Sequence, residues 1–272
     1  MIPLNTLMEE SKCYTCLGIS LAEALRLALL NRIGSLEQFS PADIAGLYFW
    51  IKADAEVFSD AGTTPAVNND PVQQWNDQSG GGNNPNQAVL ANRPNYVTNS
   101  QNGLPTVDYS MVFADNRWLD CPLADFWDAG AGGVFTFFAV VQAGPNSGDT
   151  HLLIENTAGG AVLIQNPSYV FQKNGGAFDT LTSFGDATGI WVVLMVTRSG
   201  SGAGDTKIYI NGIQNDNGIA IPGLVAPGSC IIGFPALGTW TGKIAEMGIY
   251  NSVLSDANRG LLLAGMQTKW GV

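Results

Sequence analysis

The sequence is short of charge. Asp, Glu, Lys and Arg make up 13% of its 272 residues, against a usual share of about 25%. Positive charge is scarcest, with 12 Lys and Arg facing 23 Asp and Glu and a net charge of −11. The few cations are scattered, so no basic cluster exists to neutralise phosphates. That argues against nucleic-acid binding and against an anionic membrane surface. The acidity mainly favours solubility.

Long apolar runs are missing too. A spanning helix needs roughly 18 or more apolar residues in a row. Residues 17–33 come nearest, but Glu23, Arg26 and Asn31 interrupt them. No membrane insertion is expected. Glu9 and Glu10 stand where a secretory signal would be basic, and no clear cleavage site follows. The expectation is a chain without a signal peptide, folding in a reducing cytosol. Its 4 cysteines are too few for a disulfide scaffold. His151 is the single histidine and there is no Gly-x-Ser-x-Gly elbow, so a nucleophilic triad has no support.

What is present is a large apolar fraction, 46%, together with 33 glycines. The first supplies a core. The second, with many Asn, Ser and Thr, fits short strands joined by uncharged turns. The length suits one large β-domain with an extension, or two small domains.

Residues 1–39 differ in composition from the rest. Ser20 and Glu23 have capping-box spacing. Leu21, Leu25 and Leu29 then recur at helical intervals up to Ile33, and Gly34 supplies a stop. The spacing predicts a helix from Leu21 to about Ile33, and its apolar face needs a partner. Cys13 and Cys16 precede it. A single Cys-x-x-Cys offers two thiolates where structural zinc wants four ligands. Cys121 and Cys230 are isolated in the sequence and do not complete the set. The favoured reading of the pair is packing at an interface, with zinc shared between subunits as the alternative.

Residues 40–272 read as strands and turns. "GLYFWIKAD" (46–54) is a buried strand, and the Asn-, Gly-, Pro- and Asp-rich stretch from Ser59 to Gly103 is long loops around short strands. "GVFTFFAVVQA" (133–143) is a long buried strand. "HLLIEN" and "AVLIQN" flank "TAGG" as a hairpin. "WVVLMVTRSG" (191–200) pairs with "TKIYINGIQ" (206–214), where Ile208 and Ile210 mark one apolar face and Asn211-Gly212 marks a turn. Ser255 caps a last helix from Asp256 to about Lys269. The predicted fold is mainly β, an antiparallel sandwich with an N-terminal helical arm (1–39) and a short C-terminal helix.

The run "WVVLMVTRSG…KIYINGIQ…CIIGF…WTGKIAEMGIYNSVLSDANRGLLLAGMQTKWGV" resembles the C-terminal half of the concanavalin A-like, laminin-G-like jelly-roll family. "GLYFWIKAD", "VQQWNDQSGGGNNPNQ", "RPNY" and "NGLPTVDYS" look like the start of that domain as it occurs in bacteriophage and bacterial surface proteins. The resemblance covers about residues 44–272. It implies a jelly roll, a fold that hosts enzymes, lectins and inert modules alike.

Family members that cleave β-glucans resemble one another in a Glu-x-Asp-x-x-Glu strand carrying two carboxylates. This sequence lacks it. Glu56, Glu155 and Glu246 are the only glutamates after residue 40, and the resemblance makes Glu246 structural. No catalytic residue is expected. Jelly-roll lectins often hold Ca²⁺ through Asp and Asn oxygens, and Asp70, Asn76 and Asp77 are suitable in type. Such residues also simply cap turns. For glycan binding the candidate cluster is Trp118 and Trp127 with Asp115, Asn116 and Asp120. Exposed indoles would stack on a sugar. The alternative is that they pin long loops onto the sandwich.

The expected function is a non-enzymatic phage virion component, either capsid decoration or tail- or fibre-associated. Residues 1–39, through Leu21, Leu25, Leu29 and Ile33, would anchor it to other virion proteins. The jelly roll would face outward and adhere weakly to host surface glycans. A homo-oligomer, for instance a trimer, would cover the helix. The alternatives are a carbohydrate-binding module of a bacterial surface protein and a divergent glycoside hydrolase.

Overall fold

The computed structural model describes residues 39–109, 116–123, 133–144, 150–156, 160–165, 168–174, 178–182, 189–220, 230–233 and 241–272. The predicted helix bearing Leu21, Leu25, Leu29 and Ile33, and the pair Cys13 and Cys16, lie outside the described residues. Pro41–Val272 forms a compact unit by itself.

Its strands are β1 (Leu47–Lys52), β2 (Val57–Phe58), β3 (Gln74–Trp75), β4 (Asn95–Gln101), β5 (Leu104–Asp108), β6 (Leu119–Cys121), β7 (Phe135–Ala143) and β8 (Thr150–Asn156). They continue with β9 (Gly160–Gln165), β10 (Ser168–Asn174), β11 (Phe178–Thr182), β12 (Trp191–Arg198), β13 (Thr206–Ile210), β14 (Ile213–Gln214), β15 (Cys230–Ile232) and β16 (Gly242–Tyr250). One helix, α1 (Asp256–Trp270), closes the chain.

The larger sheet runs β14-β13-β12-β7-β16-β5-β4, with β1 also on β16. The smaller runs β11-β10-β9-β8-β15-β6, and β2-β3 is a separate ribbon. Every strand pair is antiparallel. Asn86 bridges both Gln74 and Asp120, joining the ribbon to the edge of the smaller sheet.

In β7, Phe135 through Val141 are all buried. Successive side chains point to opposite faces, so both faces of the larger sheet are covered. Phe137 and Ile249, opposite each other, face the sandwich interior. Phe138 and Tyr250, with ring centroids 5.9 Å apart, face outward. The Tyr250 hydroxyl there donates to the Pro41 carbonyl at 2.8 Å. The sequence marks one apolar face on β13, at Ile208 and Ile210. The structure buries Ile208 and also Tyr209 on the other face, because α1 forms an extra layer that alternation within β13 does not reveal.

The boundaries of α1 follow from its ends. Ser255 Oγ accepts the Asn258 N–H at 3.2 Å, a side-chain N-cap. Gly271 sits in the left-handed region at φ 66° and its N–H returns to the Gln267 carbonyl, a helix stop that favours glycine. Leu262, Met266 and Trp270 form the buried stripe. Among the described residues no helix is long and apolar enough to cross a membrane.

Candidate glycan-binding surface

Trp118 lies just before β6 and Asp120 on it, at the end of the smaller sheet where Asn86 pairs with the strand. In β6, Leu119 and Cys121 are buried while Asp120 is exposed. Alternation puts Trp118, one residue before the strand, on the same outer side as Asp120. The Trp118 indole N–H is the only donor of the two side chains, and it lies near enough to the Asp120 carboxylate to favour its charged form through hydrogen bonding. Partial burial pushes the Asp120 carboxyl up from its ordinary value, and that hydrogen bond pulls part of the shift back.

The backbone around the pair is fixed from several sides. Asn86 and Asp120 exchange N–H···O bonds of 2.8 Å in both directions, and the Trp118 N–H reaches the Asn92 carbonyl at 3.0 Å. Arg93 clamps the intervening loop. Its guanidinium donates to the carbonyls of Gln87 at 2.8 Å, Ala88 at 3.0 Å and Ser59 at 3.3 Å. Val89 and Leu90 on this loop are exposed. Trp118 is thus half-buried on a fixed backbone, with a carboxylate beside it. That combination can stack on a pyranose and accept a hydroxyl.

Asn116 is exposed and sits in the left-handed region at φ 46°, which Asn tolerates better than most residues. Asp115 and Trp127 lie outside the described residues. Other aromatics near loops behave differently. Trp75 is fully buried and its indole donates to the Lys52 carbonyl at 3.0 Å, so it pins a loop.

The calcium candidates do not converge. The Asp77 carboxylate accepts four N–H donors: Trp50 N at 3.0 Å and Ser79 N at 2.9 Å on Oδ1, then Asn83 N at 3.1 Å and Asn83 Nδ2 at 3.4 Å on Oδ2. Four donors fill the lone-pair sites of a carboxylate. Asp70 Oδ2 accepts the Val67 N–H at 2.9 Å. Asn76 accepts from Gln74 at 2.7 Å and donates to Glu56 at 3.0 Å. A Ca²⁺ site needs six to eight oxygens turned toward one point, and these residues do not fit it. They act as turn caps. Among the described residues no three His, Cys, Asp or Glu side chains gather as a metal cluster.

Glu246 follows a bulge in β16, between Ile244 and Glu246, a device that re-aims side chains. Its Oε1 accepts the Trp50 indole N–H at 2.7 Å. Its Oε2 accepts the Trp270 indole at 2.8 Å and Lys269 Nζ at 2.7 Å. Lys269 also pairs with Asp54 at 2.9 Å. The carboxylate is sealed beneath α1 and clamps the helix to the sheet, the structural role the sequence suggested. Its three partners were not visible in the sequence. Nor was the setting of Cys121 and Cys230. Isolated in the sequence, they stand directly opposite each other on β6 and β15, both buried.

Residues 125–258 match the family described as the concanavalin A-like lectin/glucanases superfamily. The chain carries a concanavalin A-like, laminin-G-like jelly-roll domain. Among solved structures, the Trypanosoma rangeli sialidase in complex with sialic acid aligns with a TM-score of 0.55 at 15% identity, covering 83% of this chain and 33% of that one. The binding domain of Paraclostridial Mosquitocidal Protein 1 aligns at 0.54 and 14% identity, covering 82% and 52%. The botulinum neurotoxin serotype D binding domain aligns at 0.54 and 13% identity, covering 81% and 52%. These likenesses establish the jelly-roll architecture. This chain spans a third to a half of the length of those structures. No curated protein matches it.

Proposed function

We propose that the protein is a non-enzymatic, glycan-adhering jelly roll carried on a bacteriophage virion, with residues 1–39 as its attachment segment. The observation that carries adhesion is the Trp118–Asp120 pair, a half-buried indole beside an exposed carboxylate on the outer side of β6. The likeness to a sialidase solved with sialic acid adds weight to a carbohydrate ligand. The virion setting and self-association rest on the sequence resemblance and on the predicted apolar face of Leu21, Leu25, Leu29 and Ile33. Against hydrolysis stands Glu246, whose carboxylate is spent on two indoles and a lysine.

A glycan array probed with the full chain, with and without added Ca²⁺, tests adhesion. The expected result is binding that Trp118→Ala weakens by at least about tenfold, the loss of ~1.4 kcal/mol of stacking. No binding in either condition would sink the adhesive reading. Deleting residues 1–39 tests attachment, and incorporation of the shortened chain into particles would contradict it.

A further inference from the structure

Cys121 and Cys230 are the only cysteines among the described residues, and they face each other across β6 and β15. The hydrogen bonding fixes which kind of pair they make. On an antiparallel strand each residue turns its N–H and its carbonyl to the same side, and successive residues alternate. Asp120 engages both with Asn86, at 2.8 Å each, so Leu119 and Cys121 turn theirs to β15. From the other strand, the Gly233 N–H reaches the Leu153 carbonyl of β8 at 3.1 Å, so Cys230 and Ile232 turn theirs to β6. Cys121 and Cys230 are therefore a hydrogen-bonded pair.

Such a pair holds its Cα atoms about 5.5 Å apart, and disulfides favour Cα separations of roughly 5.5–6 Å. Facing residues share one side of the sheet, with Cβ atoms about 4.5–5.5 Å apart. A disulfide brings them to roughly 3.5–4.5 Å. The two strands need only close by about 1 Å. The β6–β15 ladder is three residues long, so little backbone has to follow.

Both thiols are sealed in the folded domain. Cys121 is 2% exposed and Cys230 fully buried, and burial pushes the Cys121 thiol up to about 12. The thiolate is the attacking species in thiol–disulfide exchange, so the closed domain resists oxidation. The pair is reactive while the chain folds, or when the β6–β15 edge opens. Once made, the bond closes a loop from β6 through β7–β14 to β15, and long loops gain most from such a link.

We infer that Cys121 and Cys230 are a dormant disulfide pair, reduced in a thiol-rich medium and joined when the chain folds or opens in an oxidising one. The oxidant is a small-molecule disulfide, with oxidised glutathione as its type. One cysteine thiolate attacks the glutathione S–S bond and expels a glutathione thiolate, leaving a mixed disulfide. The second cysteine thiolate attacks the protein sulfur of that bond and expels the other glutathione. Two protein thiols become one disulfide, the oxidised glutathione becomes two thiols, and the two protons pass to them. The bond staples β6, which carries Asp120, to β15. The inference does not rest on glycan adhesion, and each can fail alone.

Refolding the full-length Cys13→Ser, Cys16→Ser chain from urea at pH 8, in a mixture of oxidised and reduced glutathione, tests it. The main product should be a monomer lighter by two hydrogens than the chain refolded in dithiothreitol. Non-reducing tryptic digestion should join residues 118–173 to residues 208–243, and dithiothreitol should part them. The linked chain should melt above the reduced one, and Cys121→Ala should lose both the mass change and the rise. The chain already folded and reduced should form the bond at least about tenfold more slowly in the same mixture, because opening must come first. Equal rates would overturn the dormancy. The pair itself is overturned if the refolded chain keeps both thiols, carries only glutathione or links to a second copy. A linked chain that melts no higher than the reduced one would also overturn it.

Discussion

The Glu246 carboxylate meets the Trp270 indole N–H at 2.8 Å, with the glutamate fully buried. The two residues are 24 apart along the chain, and their bond closes the last turn of α1 onto β16. A carboxylate with no solvent must have all its oxygens occupied, and here two indoles and Lys269 do so. Glu246→Gln keeps the shape but loses the charge and turns an amide N–H toward a donor. Breaking a buried pair this way should cost about 2–4 kcal/mol. Urea unfolding should show the loss, with α1 loosening. A change below measurement error would mean that the cluster does not hold the helix.

Two glycines near α1 should respond with opposite sign. Gly212 sits at φ 81° and a Cβ there would run into the Leu263 side chain. Gly212→Ala should therefore destabilise by about 1–2 kcal/mol, the cost of a left-handed alanine. Gly260 is helical with open space around it, so Gly260→Ala should stabilise by roughly 0.5–1 kcal/mol. Thermal melts of the two variants check both signs at once.

What the sequence reveals about this domain depends on how local the cause is. Asn211 and Gly212 take φ of 49° and 81°, the double left-handed geometry that an Asn-Gly hairpin turn demands. Ser255 caps α1 because capping is decided within three residues. The proximity of Trp118 and Asp120 follows from a two-residue spacing on an extended chain. Register is different. Cys121 and Cys230 meet only because β6 and β15 pair at one offset, and no short window carries that offset. Burial from a third layer is equally hidden, which is why Tyr209 reads as a surface residue. The Asn- and Asp-rich loops were ambiguous because turn capping and metal binding use the same oxygens. Only the positions of the N–H groups decide between them, as at Asp77.

Asp120 should make stability depend on pH. Partial burial raises its carboxyl, so the folded state binds the proton more tightly than the unfolded chain. For a raised carboxyl the favourable contribution is full below the unfolded value, near 3.9, and is lost as pH rises through the folded value. At neutral pH the carboxylate thus costs stability. Asp120→Asn removes that cost while its amide oxygen can still accept from Trp118. The variant should melt higher than the parent at pH 7, with the gap closing as pH falls below about 4. It should also bind glycan less well, having lost the charged acceptor. A gap that widened at low pH would contradict the assigned burial of Asp120.

Cys121 should be chemically silent in the folded protein. Burial pushes its thiol up to about 12, the nearby Asp77 and Asp120 carboxylates push the same way, and a backbone hydrogen bond at Leu123 opposes them. At pH 8 the thiolate is then on the order of one part in 10⁴. The raised value means that the thiol's contribution to stability is complete below the unfolded value of about 8.5 and fades as pH climbs toward 12. In a Cys13→Ser, Cys16→Ser background only Cys121 and Cys230 remain. An aromatic disulfide reagent at pH 8 should titrate neither until denaturant is added, and then both together. Rapid reaction of the native protein would show that the β6–β15 edge opens to solvent. The same opening would release the backbone that holds Trp118 beside Asp120.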